Sequence, residues 1–401
     1  MIKTFIKREK YLKAVQPYIG PGLIKVITGQ RRVGKSYFLF QIMDELLGKG
    51  VKKENIVYIN KELNEFENMR NSGDLLKYIH DKKIKGKKAV FIDEVQEIAE
   101  FEKALRSMQA EGDTDIYCTG SNARLLSGEL ATFLSGRHIE LHVHGLSYGE
   151  FLKFHKCGES SEAFMRYLRV GGLPYLINLL PSDDVAYEYL RSIYNSILLK
   201  DIVGRYKVRH VDFIERLVEF LADNTGSIVS AKRISDFLKS QKMSISPGII
   251  LNYLSFLVSA FMVSRVRRSD IKGRKIFEIG EKYYFGDMGI RHSIVGFRQN
   301  DISKILENIV FLHLLSSGYS VTVGKLGDKE VDFVCEKNGE REYIQVAYLL
   351  SSESVREREF GNLLAINDNY PKTVVSMDEI AGKSFKGIRQ INIREFLLSH
   401  S

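Results

Sequence analysis

The chain has 401 residues, 44% of them hydrophobic and 27% charged, a mixture that excludes a disordered or collagen-like polymer and calls for two to four domains. Cys118, Cys157 and Cys335 lie far apart with no Cys-x-x-Cys pair, which argues against a disulfide framework or zinc site and fits a reducing cytoplasm. No run approaches ~20 apolar residues and no signal-type segment opens the chain, so no membrane partner is expected, while the net charge of +9 favours polyanions only weakly.

Residues 1–22 are basic and partly helical and end in Gly20-Pro21-Gly22. An apolar run, Leu23 to Thr28, follows and leads into Gly29-Gln30-Arg31-Arg32-Val33-Gly34-Lys35-Ser36, after which Tyr37 to Leu47 reads as a helix. Strand, glycine-bounded loop and helix in that order form a phosphate-binding P-loop. Backbone N–H groups turn inward around the phosphates, and the helix N-terminus adds partial positive charge. Residues Gly29 to Tyr37 are expected to surround the phosphates, with Lys35 reaching the β- and γ-groups and Ser36 coordinating Mg²⁺.

Strands expected at 56–60, 89–93, 115–119 and 138–143 alternate with helices, the pattern of a parallel sheet that binds ligands at its carboxyl edge. In Lys88-Ala89-Val90-Phe91-Ile92-Asp93-Glu94 the apolar run reads as a buried strand. Asp93 at its end is expected to hold Mg²⁺ through water, and Glu94 to polarise the attacking water. After Thr119, either Ser121 or Asn122 is placed to feel the γ-phosphate. Arg137 is a candidate for the cation that stabilises transition-state charge, with a structural salt bridge as the alternative.

From Ser147 to about Arg205 the pattern turns helical, as a lid would. Helices near 211–224, 231–240 and 246–259 precede two alternating strands, 262–268 and 275–279, which is the winged-helix order. The hairpin carries Arg265, Arg267, Arg268, Lys272, Arg274 and Lys275, suited to nucleic-acid backbone contact. The helix Pro247 to Ser259 is poor in base-reading side chains, and a packing or protein-interaction role stays open. The last hundred residues read as a helix at 301–317, strands at 319–323, 330–336 and 341–348, a helix at 353–365, and strands at 372–377 and 387–392.

The segment from about Gly29 to Phe151 resembles the AAA+ ATPases of the prokaryotic group that carry a restriction-endonuclease-like C-terminal module. The matching marks are the P-loop, Phe-Ile-Asp-Glu-Val-Gln, Thr-Gly-Ser-Asn-Ala, Leu-Ser-Gly-Arg and Leu-Ser-Tyr-Gly-Glu-Phe, with Gly171-Gly172-Leu173-Pro174 near the end of the lid. The resemblance implies an α/β fold: a P-loop NTPase sheet over 1–146, a helical lid over 147–205, a winged helix over 206–290 and a restriction-endonuclease-like domain over 291–401. It implies ATP and Mg²⁺ as cofactors and ATP hydrolysis as the activity. Glu307, Asp332 and Gln345 resemble the PD-(D/E)XK metal site, but Ala347 stands where its lysine belongs, so that site is expected to be degenerate unless Lys325 or Lys329 substitutes in space. Three functions follow: an ATPase that repositions the later modules, an ATP-gated nuclease on DNA or RNA, or a nucleotide-dependent protein-binding switch. The expected partners are nucleic acid at the basic wing, and a protein or further copies of the chain.

Overall fold

Three buried strands and two partly buried ones, each bounded by a turn or loop, build the first sheet. The computed structural model describes residues 5–123, 136–271, 280–379 and 384–399 and divides into two units, Met1–His144 with Ser259–Phe261, and Gly145–Val258 with Met262–Ser401. In the first, helix α1 (Glu9–Val15) precedes β1 (Ile24–Thr28), buried at every position, and α2 (Lys35–Gly48). Strand β2 (Ile56–Asn60), α3 (Ser72–Asp81), β3 (Lys88–Asp93), α4 (Phe101–Glu111), β4 (Thr114–Gly120) and β5 (His138–His142) follow. The strands lie in the order β2-β3-β4-β1-β5, every pair parallel.

Val90, Ile92, Ile116 and Cys118 pack one face of that sheet against Leu75 and Ile79 of α3 and Leu105 and Met108 of α4. Helix α3 begins where Asn71 caps it, its side chain accepting from the Asp74 amide while Asp74 accepts in return. At the amino end of the sheet Lys25, excluded from solvent, pairs with Asp115 and donates 2.9 Å bonds to the carbonyls of Gly20 and Leu23. That buried pair holds the Gly20–Gly22 turn in place, because leaving either charge alone would cost several kcal/mol.

The second unit opens with α5 (Tyr148–His155), capped by Ser147, then α6 (Ser161–Val170) and α7 (Asp183–Ser196), which runs into a π-helical segment, Ile197–Gly204. Next come α8 (Val211–Asp223), β6 (Ile228–Val229), α9 (Ala231–Ser240), α10 (Pro247–Ser259), β7 (Val263–Asp270), β8 (Glu281–Phe285) and α11 (Met288–Val295). Helix α11 packs on α6, α7 and α8. Its N-cap, Asp287, accepts from the amides of Gly172 at 2.7 Å and Ile290 at 3.0 Å. Gly171 has φ +75°, and a Cβ there would stand 2.4 Å from the Asp287 carboxylate. The Gly-Gly-Leu-Pro mark is therefore a docking point for Asp287.

The remaining elements are α12 (Ile302–Ser316), β9 (Ser320–Leu326), β10 (Lys329–Lys337), β11 (Glu340–Val346), α13 (Glu353–Leu364), β12 (Lys372–Ser376), β13 (Ser384–Phe385), β14 (Ile388–Asn392) and α14 (Ile393–Ser399). The antiparallel partner of β7 is Glu281–Phe285, whose Tyr283, Tyr284 and Phe285 are buried, while the strand expected at 275–279 lies outside the described residues. The far end of β7 pairs in parallel with β9, Arg268 opposite Val323 and Asp270 opposite Lys325. A nine-stranded mixed sheet results, in the order β13-β14-β12-β11-β10-β9-β7-β8-β6. It crosses the boundary expected near 290, because the edge that β7 would expose is covered by pairing with β9. Among the described residues, no helix is long and apolar enough to cross a membrane.

Candidate functional site

The loop from Gly29 to Gly34 joins β1 to α2 at the carboxyl edge of the first sheet. Gly29 sits at φ +146°, where a Cβ would lie 2.2 Å from the Val143 carbonyl oxygen, so only glycine lets the loop pass. Lys35, 5% exposed, curls back so that Nζ donates to the carbonyls of Gly29 at 2.9 Å and Gln30 at 3.0 Å. The Gln30 amide is buried with neither polar atom hydrogen-bonded among the described residues, an orphaned polar group within the loop. Arg31 lies 3.4 Å from Glu62; Arg32 and Tyr37 are exposed, and Val33 is buried.

Because β4 lies between β1 and β3, its end sets Thr119 against the end of β3. The Thr119 hydroxyl donates to Asp93 Oδ1 and accepts the Glu94 amide at 2.9 Å. Tyr58 of β2 donates to Asp93 Oδ2 at 3.1 Å, and Ser36 lies near enough to the same carboxylate to favour its ionised form. The two residues expected to share Mg²⁺ are thus neighbours. Burial raises the Asp93 carboxyl above the usual range, against the bonds from Ser36, Thr119 and Tyr58. Glu94 has φ +55°, and Ser121 Oγ donates to its Oε2 at 3.2 Å, as does Gln96. Burial works to raise Glu94, but Lys35, Gln96, Arg31 and Ser121 outweigh it and hold the carboxyl below its ordinary range. Glu94 is therefore kept ionised beside the lysine of the loop.

Of the two residues expected to feel the γ-phosphate, Ser121 is the one bonded to Glu94; Asn122 follows it and is buried. Thr119 is a site residue that the sequence reading missed, although a hydroxyl at the end of a strand beside the Asp93 strand was the available signal. His142, at the end of β5, lies 3.0 Å from Thr28 Oγ1; burial, then Lys35, lowers its pKa to about 4, so it stays neutral. Arg137 does not join the site within one chain. Its carbonyl accepts from Ile24 N at 2.9 Å, at the start of β1, and its exposed side chain lines a shallow hollow with Pro21, Gly22 and Gln109. Five residues of β1 separate it from the loop, about 16 Å at ~3.3 Å per residue.

The donor set fits a Mg²⁺–nucleoside triphosphate. Lys35 and the loop amides would hold the phosphates, and Ser36 with Asp93 would hold the metal. Bound there, Mg²⁺ would neutralise the phosphate charge that develops during transfer.

In the second unit, Gln345 of β11 accepts the Asp332 amide of β10, and Glu307 of α12 is held by a lysine. Lys282 Nζ of β8 lies 2.9 Å from Glu307 Oε1 and 2.8 Å from Glu330 Oε1, and Tyr284 OH donates to Glu307 Oε1 at 2.6 Å. Asp332 sits where β10 bulges between Val331 and Val334. Burial, then Glu307, holds its carboxyl well above the ordinary range. Ala347, at the expected lysine position, is packed in an apolar cluster with Tyr343, Leu350 and Val374. Lys329 does not substitute: it is exposed and donates to the Gly361 carbonyl at 3.2 Å. Lys325 is half-buried on β9.

Residues 22–152 match the AAA domain family, and residues 161–301 match a domain of unknown function, DUF8612. An uncharacterized protein of Haemophilus influenzae is 36% identical over 99% of this chain and 100% of its own length. An uncharacterized protein of Methanocaldococcus jannaschii is 32% identical over 84% of this chain and 77% of its own. The Aeropyrum pernix ORC1 protein, solved in complex with DNA, is 10% identical over 73% of this chain and 93% of that chain, with a TM-score of 0.33. A likeness that slight carries no argument about partners.

Proposed function

The chain belongs to the family that the Haemophilus influenzae and Methanocaldococcus jannaschii relatives represent, with an AAA domain in its first unit, and on that premise we propose that it is a Mg²⁺-dependent ATPase. The observation that carries the reading is the P-loop with its buried Lys35 at the same sheet edge as Asp93 and Glu94, which Thr119 and Ser121 hold. Lys35 and the loop amides bind the triphosphate. Ser36 and Asp93 place the metal, Glu94 orients water, and Thr119 and Ser121 hold the two carboxylates at their working angle. Titrating wild type and Lys35→Ala with a fluorescent ATP analogue tests the binding half. Affinity should fall at least tenfold in the variant, and equal affinity would remove Lys35 from the site.

We read 206–290 as a winged helix because a helix, a short strand, two further helices and the β7–β8 hairpin follow in that order. The order α12, three antiparallel strands, α13 and the parallel strand β12 supports a restriction-endonuclease-like module for the C-terminal part. Since β7 pairs with β9, ATP-driven motion would carry both as one body. Nucleic-acid contact at the wing has less support than the ATP site. Arg265 and Arg268 each lie 3.8 Å from a carboxylate, Glu281 and Glu330, and Lys272, Arg274 and Lys275 fall outside the described residues.

A further inference from the structure

The nuclease-like positions Glu307, Asp332 and Gln345 would call for a divalent metal, but among the described residues no group of three or more acidic, histidine or cysteine side chains is placed to hold one. Strand alternation puts Lys282 and Tyr284 on one face of β8, and both reach the same oxygen of Glu307. Lys282 is 3% exposed and spans Glu307 and Glu330 in the bridging manner of a metal ion. The other expected ligands are also committed within the chain. Asp332 Oδ2 accepts the Val346 amide at 2.8 Å, and Gln345 Oε1 accepts the Asp332 amide at 3.3 Å. Gln345 Nε2 donates to Glu359 Oε2 at 3.0 Å, which fixes the direction of the amide. Mg²⁺ requires near-octahedral oxygen donors at about 2.0–2.1 Å and gives up its water reluctantly. An ammonium already held within 3 Å by two of the carboxylates leaves no place for that shell.

We propose that Lys282 is a built-in cation standing where a metal would otherwise bind among Glu307, Glu330 and Asp332, so that this cluster is a metal-free ionic latch. The latch ties β8 to α12 and β10, and it explains why a sequence with carboxylates at nuclease-like positions can dispense with a lysine at Ala347. The inference stands apart from the nucleotide site and does not depend on ATP hydrolysis.

Mn²⁺ binding to the full chain without nucleotide, followed by electron paramagnetic resonance, tests it. Wild type and Asp332→Asn should bind Mn²⁺ identically, since the cluster takes none. Lys282→Gln, which removes the charge and keeps a polar side chain, should gain one site per chain, at least tenfold tighter than any in wild type. That site should vanish in Lys282→Gln/Asp332→Asn. Wild-type binding that Asp332→Asn abolishes would overturn the proposal, as would a folded Lys282→Gln that gains no site. If Lys282→Gln does not fold, the comparison of wild type with Asp332→Asn decides alone.

Discussion

Replacing Thr119 by valine keeps the shape of the side chain and deletes one hydroxyl, and that hydroxyl bridges the Asp93 carboxylate to the backbone of Glu94. It donates to Asp93, 2% exposed, and accepts the backbone amide of Glu94. A hydrogen bond to a charged group contributes about 1.5–3 kcal/mol, and a buried N–H left unpaired costs about 1–3 kcal/mol. Some relaxation at the strand end brings the local cost to about 3 kcal/mol, or roughly a hundredfold in an opening equilibrium. Hydrogen exchange of the Glu94 amide in nucleotide-free protein reads this directly. Exchange should accelerate by about 100-fold in Thr119→Val, on the same conversion, and stay near wild type in Thr119→Ser, which keeps the hydroxyl. An amide in Thr119→Val that exchanges as slowly as in wild type would refute the argument, because the bridge would then hold nothing.

Gly171→Ala should destabilise the second unit by roughly 3 kcal/mol, since the new methyl meets the Asp287 carboxylate and the Gly289 amide in a left-handed backbone. Urea unfolding followed by circular dichroism checks it, and an unshifted transition would show that Asp287 does not clamp the Gly171-Gly172 turn. Arg137→Ala should leave ATP affinity within twofold of wild type, as its side chain lies at the amino edge of the sheet. A tenfold loss in a monomeric sample would mean that the residue reaches the phosphates after all.

The P-loop and the Asp93-Glu94 pair were legible because each is a continuous segment in which strand, loop and chemistry are adjacent in the sequence. The AAA domain match over 22–152 agrees with that reading. Thr119 and Arg137 were harder because their roles follow from strand order. Once β4 lies between β1 and β3, Thr119 meets Asp93, and once β5 runs parallel to β1, Arg137 is carried to the opposite edge. Lys282 gave the least warning. A lysine in an alternating strand reads as solvent-facing, and only the carboxylates of Glu307 and Glu330, brought from other elements, make its burial tolerable. The joining of β7 to β9 was likewise invisible, since backbone pairing across fifty residues leaves no periodic mark.

Mg²⁺-dependent ATP turnover by wild type and Glu94→Gln is the most direct measure of the central claim. Glutamine keeps the shape and hydrogen-bonding reach of the side chain but cannot draw a proton from water. Turnover should therefore fall by about 10²–10⁴ while ATP binding persists. Wild-type turnover retained in Glu94→Gln, or no difference between the two with ATP demonstrably bound, would contradict the assignment.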